Sequence, residues 1–289
     1  MTAVTAGAAG EGRPWGLWRR QVGGIVRLEL RKVLLSRMAL IGWGLAVLPV
    51  LLMVARVLVV VLGFDVLAEG ERAIGDTAYA EVYQTLMLRL CVFFGCLAIF
   101  VNLVRGEVYA RTLHYYLLAP VRREVLVFGK YVGGLAGAAL VFGGATLATR
   151  LVMLGGGPGW GETAVRTVMA GPWLGHTLAY VGVTLAACAG YGAVFLVVGL
   201  LRVNPIIPAV VVFAWEAVNP FLPAALQPMS VVHALLALCP VPVSLGPIAI
   251  LGQPPSGPVA ALELALVTAL LVALAMRQAR GLEALYGED

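Results

Sequence analysis

The sequence predicts an all-α polytopic membrane protein with six transmembrane helices and both termini cytoplasmic. Composition, the spacing of apolar runs and the placement of basic residues predict it. Of 289 residues, 61% are hydrophobic and 12% charged, with a mean hydropathy of +0.95, whereas a soluble domain carries roughly 25% charged residues. So little polar surface excludes a water-soluble fold. The 35 glycines and 16 prolines do not signal disorder here, because both residues are commoner in membrane helices.

A crossing needs about 20 predominantly apolar residues. Segments 38–62, 85–104, 131–154, 174–201 and 258–276 satisfy that requirement. A sixth, 205–226, is apolar for long enough but carries Pro208, Pro220 and Pro223, which predicts a bent or interrupted helix. The run 229–251 competes as a seventh. Charge placement argues against it, since with six spans and a cytoplasmic N-terminus fifteen of the twenty Lys and Arg residues fall on the inner side. A seventh span would send Arg277 and Arg280 outside. Pro240, Pro242 and Pro247 also interrupt the run, so 228–257 is expected to form short helices in the outer leaflet. The first span, beginning at residue 38, is too long for a signal-peptide core and is expected to be retained.

The resulting plan is a cytoplasmic tail and amphipathic interfacial helix over 1–37, a permease-like membrane domain over 38–276 and a short cytoplasmic tail over 277–289. The net charge of +5 becomes an orientation signal, and no soluble basic surface remains to bind nucleic acid. Contact with anionic membrane lipid fits the same charges.

Enzymatic and cofactor motifs are lacking. Cys91, Cys96, Cys188 and Cys239 have no CxxC spacing, and His114, His176 and His233 stand far apart. Gly129-Lys130 is followed by Tyr131 and lacks the first glycine of a phosphate loop at Glu124. The chain is therefore expected to bind no metal or cofactor and to catalyse no reaction by itself.

Two cytoplasmic pieces are informative. In 19–37, Val22, Ile25, Val26, Leu30, Val33 and Leu34 form one apolar arc opposite Arg20, Arg27 and Arg31, as in a helix lying on the inner membrane surface. Glu29 falls inside that arc; it either pairs with a basic group on another element or reaches up to the headgroups. In 105–130, Glu107 and Arg111 stand at helix spacing, Leu113, Tyr116 and Leu117 make an apolar strip, and Pro120 ends the helix. A second short helix over 121–130 is then expected, with Arg122, Arg123 and Lys130 at the interface.

The order Gly106, Arg111-Thr112-Leu113, Tyr115, Leu117, Pro120-Val121, Arg123 and Gly129-Lys130-Tyr131 resembles the loop after the second span of ABC-2 type permeases, the membrane subunits of a class of ATP-binding-cassette transporters. Leu28-Glu29-Leu30-Arg31-Lys32 with Ser36-Arg37 resembles that family's entry into span one. The likeness covers some forty residues. It implies that 107–120 holds a coupling helix seated on a separate cassette ATPase, with Glu107, Arg111, Thr112, Tyr116, Pro120 and Arg123 as coupling residues. It also implies that Glu29, Arg31 and Lys32 belong to a connecting helix beside it. A dimer of permeases (a second copy or a paralogue) with two ATPases follows, with ATP and Mg bound by the partner, in the inner (cytoplasmic) membrane and as an exporter.

Charges inside spans are costly, about 2.5–3.5 kcal/mol each at mid-membrane. Arg56, Arg89, Arg150 and Glu263 fall toward outer ends, where reaching the headgroups is the simplest account. Glu216 is expected about 17 Å deep. With Asn219 and Pro220 beside it, it either lines a translocation path or pairs with one of the arginines. Gly133 with Gly137, and Gly182, Ala186 and Gly190, stand at the four-residue spacing of tight helix crossings. Two further functions stay open: an ion-coupled secondary transporter using Glu216, and an intramembrane enzyme.

Overall fold

The structure is a computed structural model and describes residues 15–36, 39–62, 75–109, 122–154, 168–169, 171–201, 204–223, 225–243 and 255–281. The helices are α1 (Trp15–Leu35), α2 (Ala39–Val61), α3 (Gly75–Val82), α4 (Phe93–Tyr109), α5 (Arg123–Leu154), α6 (Trp173–Leu200), α7 (Ile206–Val218), α8 (Val231–Leu238) and α9 (Gly257–Ala279). A π-helical segment, Tyr83–Val92, joins α3 to α4 in one continuous rod. Among the described residues five helices are long and apolar enough to cross a membrane: Ala39–Val59, Asp76–Gly106, Arg123–Leu154, Trp173–Leu200 and Gly257–Ala279. The chain is thus a multi-pass helical membrane protein by length and composition.

Local chemistry sets the breaks. The Ser36 side chain and carbonyl both accept from the Ala39 amide, so this serine ends α1 and starts α2. At α9, Ser256-Gly257-Pro258 supplies the extended residue and early proline of a helix start. The α7 helix has 13 residues, about 20 Å, and does not cross on its own. Asn219–Phe221 tightens into a 3₁₀ turn where Pro220 cannot continue the ladder. The run expected to hold short helices yields α8, with eight residues; 244–254 lie outside the described residues.

The helix expected over 121–130 is instead the first part of α5, which runs unbroken for 32 residues, about 48 Å against a hydrocarbon core of roughly 30 Å. Glu124 in the first turn suits a helix N-terminus. Gly129 does not break the rod because Ile25 of α1 occupies the space beside it, 3.0 Å from where a Cβ would stand.

The centre of the bundle is α6, packed against α4, α5, α8 and α9. Phe100 of α4 lies against Gly134 and Gly192, where a side chain on either glycine would strike its ring. Phe93 packs edge-on to Tyr191, Phe195 and Phe213, with centroids 5.0–5.3 Å apart, which anchors α7. Ala209 and Glu216 are also buried, while Ile206, Ile207, Val210, Val211 and Trp215 leave an exposed apolar face on α7.

Helix α1 turns its apolar arc onto protein. Ile25, Glu29 and Val33 face Gly129, Gly133 and Gly137 in turn, so α1 and α5 run parallel in register. A Cβ on Gly133 would stand 2.8 Å from the Glu29 Cβ and one on Gly137 2.8 Å from the Val33 Cβ. The four-residue glycine spacing is therefore what lets two backbones meet.

Candidate functional site

Several helix ends gather at one basic end of the bundle. Glu29 is buried, and its Oε1 accepts from Lys130 Nζ at 2.7 Å and faces Lys32 Nζ at 3.4 Å. Lys130 also donates to the Leu103 carbonyl at 3.0 Å. One ion pair thus ties α1, α4 and α5. Of the two readings open for Glu29, the structure has the pair. Lys130, expected at the interface, is buried because a carboxylate and a carbonyl satisfy it, which a snorkelling ammonium would otherwise seek from water. Arg31 points away and is exposed.

Arg105, near the end of α4, donates through Nε to the Gly199 carbonyl at 3.3 Å and through Nη2 to the Leu201 carbonyl. These carbonyls are the unpaired C-terminal groups of α6, and a guanidinium complements them in hydrogen bonding and in dipole sign. Across the same end, Arg123 Nη1 donates to the Arg280 carbonyl at 3.0 Å, while Arg280 Nε pairs with Glu124. Both flanks of the 105–130 segment are therefore bolted to the bundle. Of the residues expected to couple to a partner, Arg123 starts α5 and bonds the Arg280 carbonyl; Glu107 contributes helical backbone to α4, and Arg111, Thr112, Tyr116 and Pro120 lie outside the described residues.

Glu216 occupies a second constellation. Its Oε1 accepts from the Val231 amide at 3.0 Å, and its Oε2 from the Val232 amide at 2.8 Å and Ser230 Oγ at 2.7 Å. Tyr191 Oη donates at the longer distance of 3.5 Å. The carboxylate thus caps the N-terminus of α8 from a different helix, where free amides and the helix dipole favour negative charge. Asn219 braces the turn by donating to the Gln227 carbonyl at 3.0 Å, and Gln227 donates to Leu222 at 2.9 Å. Val231 in turn sits against Gly190 of α6, 3.0 Å from a would-be Cβ. Arg89, on the π segment, lies within electrostatic reach of Glu216 and Tyr191 without forming an ion pair. Its Nε and Nη2 are buried without a hydrogen-bond partner among the described residues.

At the opposite end, Arg150 does not reach for headgroups. It is fully buried and pairs through Nη1 with Asp76 at 2.9 Å, donates through Nε to Thr177 at 3.1 Å and lies over the rings of Tyr79, Trp173 and Tyr180. His176 Nδ1 stands 3.3 Å from the other Asp76 oxygen. Below them Tyr83 donates to the Tyr180 carbonyl or Thr184 Oγ1, both at 2.8 Å, and Thr184 meets Thr146 at 2.9 Å. Sequence reasoning placed no crossing helix at Asp76, between the apolar segments 38–62 and 85–104, and gave His176 no partner. The signal available was Asp76 just after the apolar gap, in the position of a first helical turn.

Comparison with protein-family models finds no match, and comparison with curated proteins finds none either. What fold and site define is a class: a multi-pass helical membrane protein with a bolted, basic end and a carboxylate-capped half-helix inside.

Proposed function

We propose that this chain is the permease subunit of an ATP-driven exporter of the ABC-2 type, working with a separate cassette ATPase and a second permease copy or paralogue in the inner membrane. One observation carries the reading: both flanks of the 105–130 segment are fixed to other helices, through Arg105 to α6, through Lys130 to α1 and α4, and through Arg123 and Glu124 to Arg280 after α9. The second flank is also the unbroken foot of α5. A push on this segment by a soluble motor has no slack to absorb it and passes into four helices at once. The same arrangement on a chain with no motor to receive has no evident use.

The six-crossing topology with both termini cytoplasmic belongs to this reading. Leu201, bonded by Arg105, lies at the basic end, whereas α9 runs from the far end back to Arg280 beside Glu124. The chain between 204 and 257 must therefore cross once in sum. On this reading α7, the Asn219–Gln227 turn and α8 make that crossing as two half-helices, with Glu216 as the weld between them. A basic end on the cytoplasmic face follows the positive-inside rule. ATP and Mg stay on the partner; this chain supplies gate and lever.

The test is reconstitution with a cassette ATPase that co-purifies with the chain. Arg105→Ala and Lys130→Met are expected to keep the complex but reduce transport per ATP hydrolysed, while Glu107→Ala with Arg111→Ala loses the ATPase from the complex. Uphill transport by the chain alone on an ion gradient overturns the proposal.

A further inference from the structure

Glu263 of α9, a span acid for which reaching the headgroups is the simplest account, keeps one oxygen inside the bundle. Its Oε2 is buried and has no hydrogen-bond partner among the described residues. A carboxyl oxygen enclosed without a donor is costly, and more so in a membrane helix, where such acids have partners or functions.

Glu263 forms part of the wall of a cavity of about 10 Å³ between α9 and the start of α8. Pro228, Met229, Ser230 and Ala234 wall it on one side, Glu263 and Val267 on the other. Ser230 is buried, and its hydroxyl donates to Glu216 Oε2 at 2.7 Å. A serine oxygen keeps two acceptor positions beside its one donor; among the described residues no donor meets them. The two walls therefore each present an acceptor and no donor.

A space of roughly 10–15 Å³ holds one water molecule, provided two or more polar groups meet it. One water has two hydrogens for the two acceptors. A second water has no room. A divalent cation takes roughly six or more oxygens, whereas the side chains of this wall supply one carboxyl group and one hydroxyl.

We propose that a single water molecule is bound between Glu263 and Ser230 and completes a hydrogen-bonded chain, Glu263–water–Ser230–Glu216, joining α9 to α8 and α7. Hydrogen bonds in series polarise one another, so the chain carries a change at one carboxyl group to the other. The remaining ionisable groups facing it are Arg89 and Tyr191 beside Glu216 and His233 beside Glu263. The site is a joint between helices, carries nothing across the membrane by itself and is independent of ATPase coupling.

The full-length chain in nanodiscs is compared by infrared difference spectroscopy in ordinary water and in water isotopically substituted at oxygen. One narrow O–H stretching band of an enclosed water is expected to shift with the substitution. Ala234→Val, which takes up the space, is expected to abolish that band, and Glu263→Gln to keep it at a changed frequency. The carboxylate bands of Glu216, assigned by their loss in Glu216→Gln, are expected to move in Glu263→Gln. In a Ser230→Ala background, Glu263→Gln is expected to leave them where they stand. Should Ala234→Val fail to fold, Val267→Ile closes the same space from α9. An identical O–H spectrum in the unaltered and filled chains overturns the proposal, as do Glu216 bands indifferent to Glu263→Gln while Ser230 is present. A melting temperature that rises on adding sodium to the unaltered chain, and not to Ala234→Val, assigns the space to a cation and overturns it too.

Discussion

Glu29 and Glu216 are the two buried acids among the described residues, and they are satisfied in opposite ways. Glu29 meets a cation, Lys130, at 2.7 Å, and its Oε2 finds no hydrogen bond among the described residues. Among the described residues Glu216 meets no cation within ion-pair distance; two amides and a hydroxyl hold both of its oxygens at 2.7–3.0 Å. The first arrangement joins long helices by one strong, incomplete link whose loss strands a charge. The second distributes the burden over dipoles that belong to the helix being held. A pair of that kind suits a joint that must transmit force between rods, and a cap of that kind suits a short helix that must stay formed inside the bundle.

The comparison breaks most visibly at Lys130. Glu29→Ala leaves that ammonium buried without its counter-charge and is expected to destabilise the chain by about 3–5 kcal/mol. The double change Glu29→Met with Lys130→Met is expected to recover most of the loss, as thermal unfolding in detergent will read. If the double variant is no better than either single one, the pair does not act as a unit. A smaller effect is expected at Glu216. Glu216→Gln keeps the shape but replaces one acceptor oxygen with a donor facing an amide or the Ser230 hydroxyl, at about 1–3 kcal/mol. The change should appear as faster hydrogen exchange at Val231 and Val232 with little change in α1; uniform loss of protection throughout the bundle contradicts a local cap. Least of all is expected from Arg280→Ala, because that arginine is 71% exposed and exposed pairs contribute about 0–1 kcal/mol. Its melting temperature should match that of the unaltered chain within error, which separates the buried link from its solvent-facing neighbour.

Long elements were legible because hydropathy over 20 residues is a sum that no single side chain can undo. Gly133 and Gly137 were legible as a contact surface for the same reason of spacing, but not their partner: nothing in a linear pattern says that Glu29 and Val33, about a hundred residues earlier, fill that surface. Lys130, read as an interfacial cation of a short helix, and Arg150, read as a span arginine reaching for headgroups, were misread by one idea, that long cations extend to the polar boundary. Each instead has an acid from a distant segment, Glu29 or Asp76, and long-range pairing is invisible to a local rule. The cap by Glu216 was hidden similarly. Its depth marked it as a residue needing partners, while the partners are backbone amides whose availability depends on where α8 begins. The π segment has no sequence signature we could identify, and it carries Arg89 toward Glu216.

The parallel register of α1 on α5 has a consequence for how the protein is made. Lys130 is synthesised 101 residues after Glu29, so at translation rates of about 5–20 residues per second the carboxylate waits roughly 5–20 s for its partner. During that interval the glycine track on which α1 will settle does not yet exist. Helix α1 is thus made well before its berth, and the insertion machinery must hand over a chain in which this segment is still undocked.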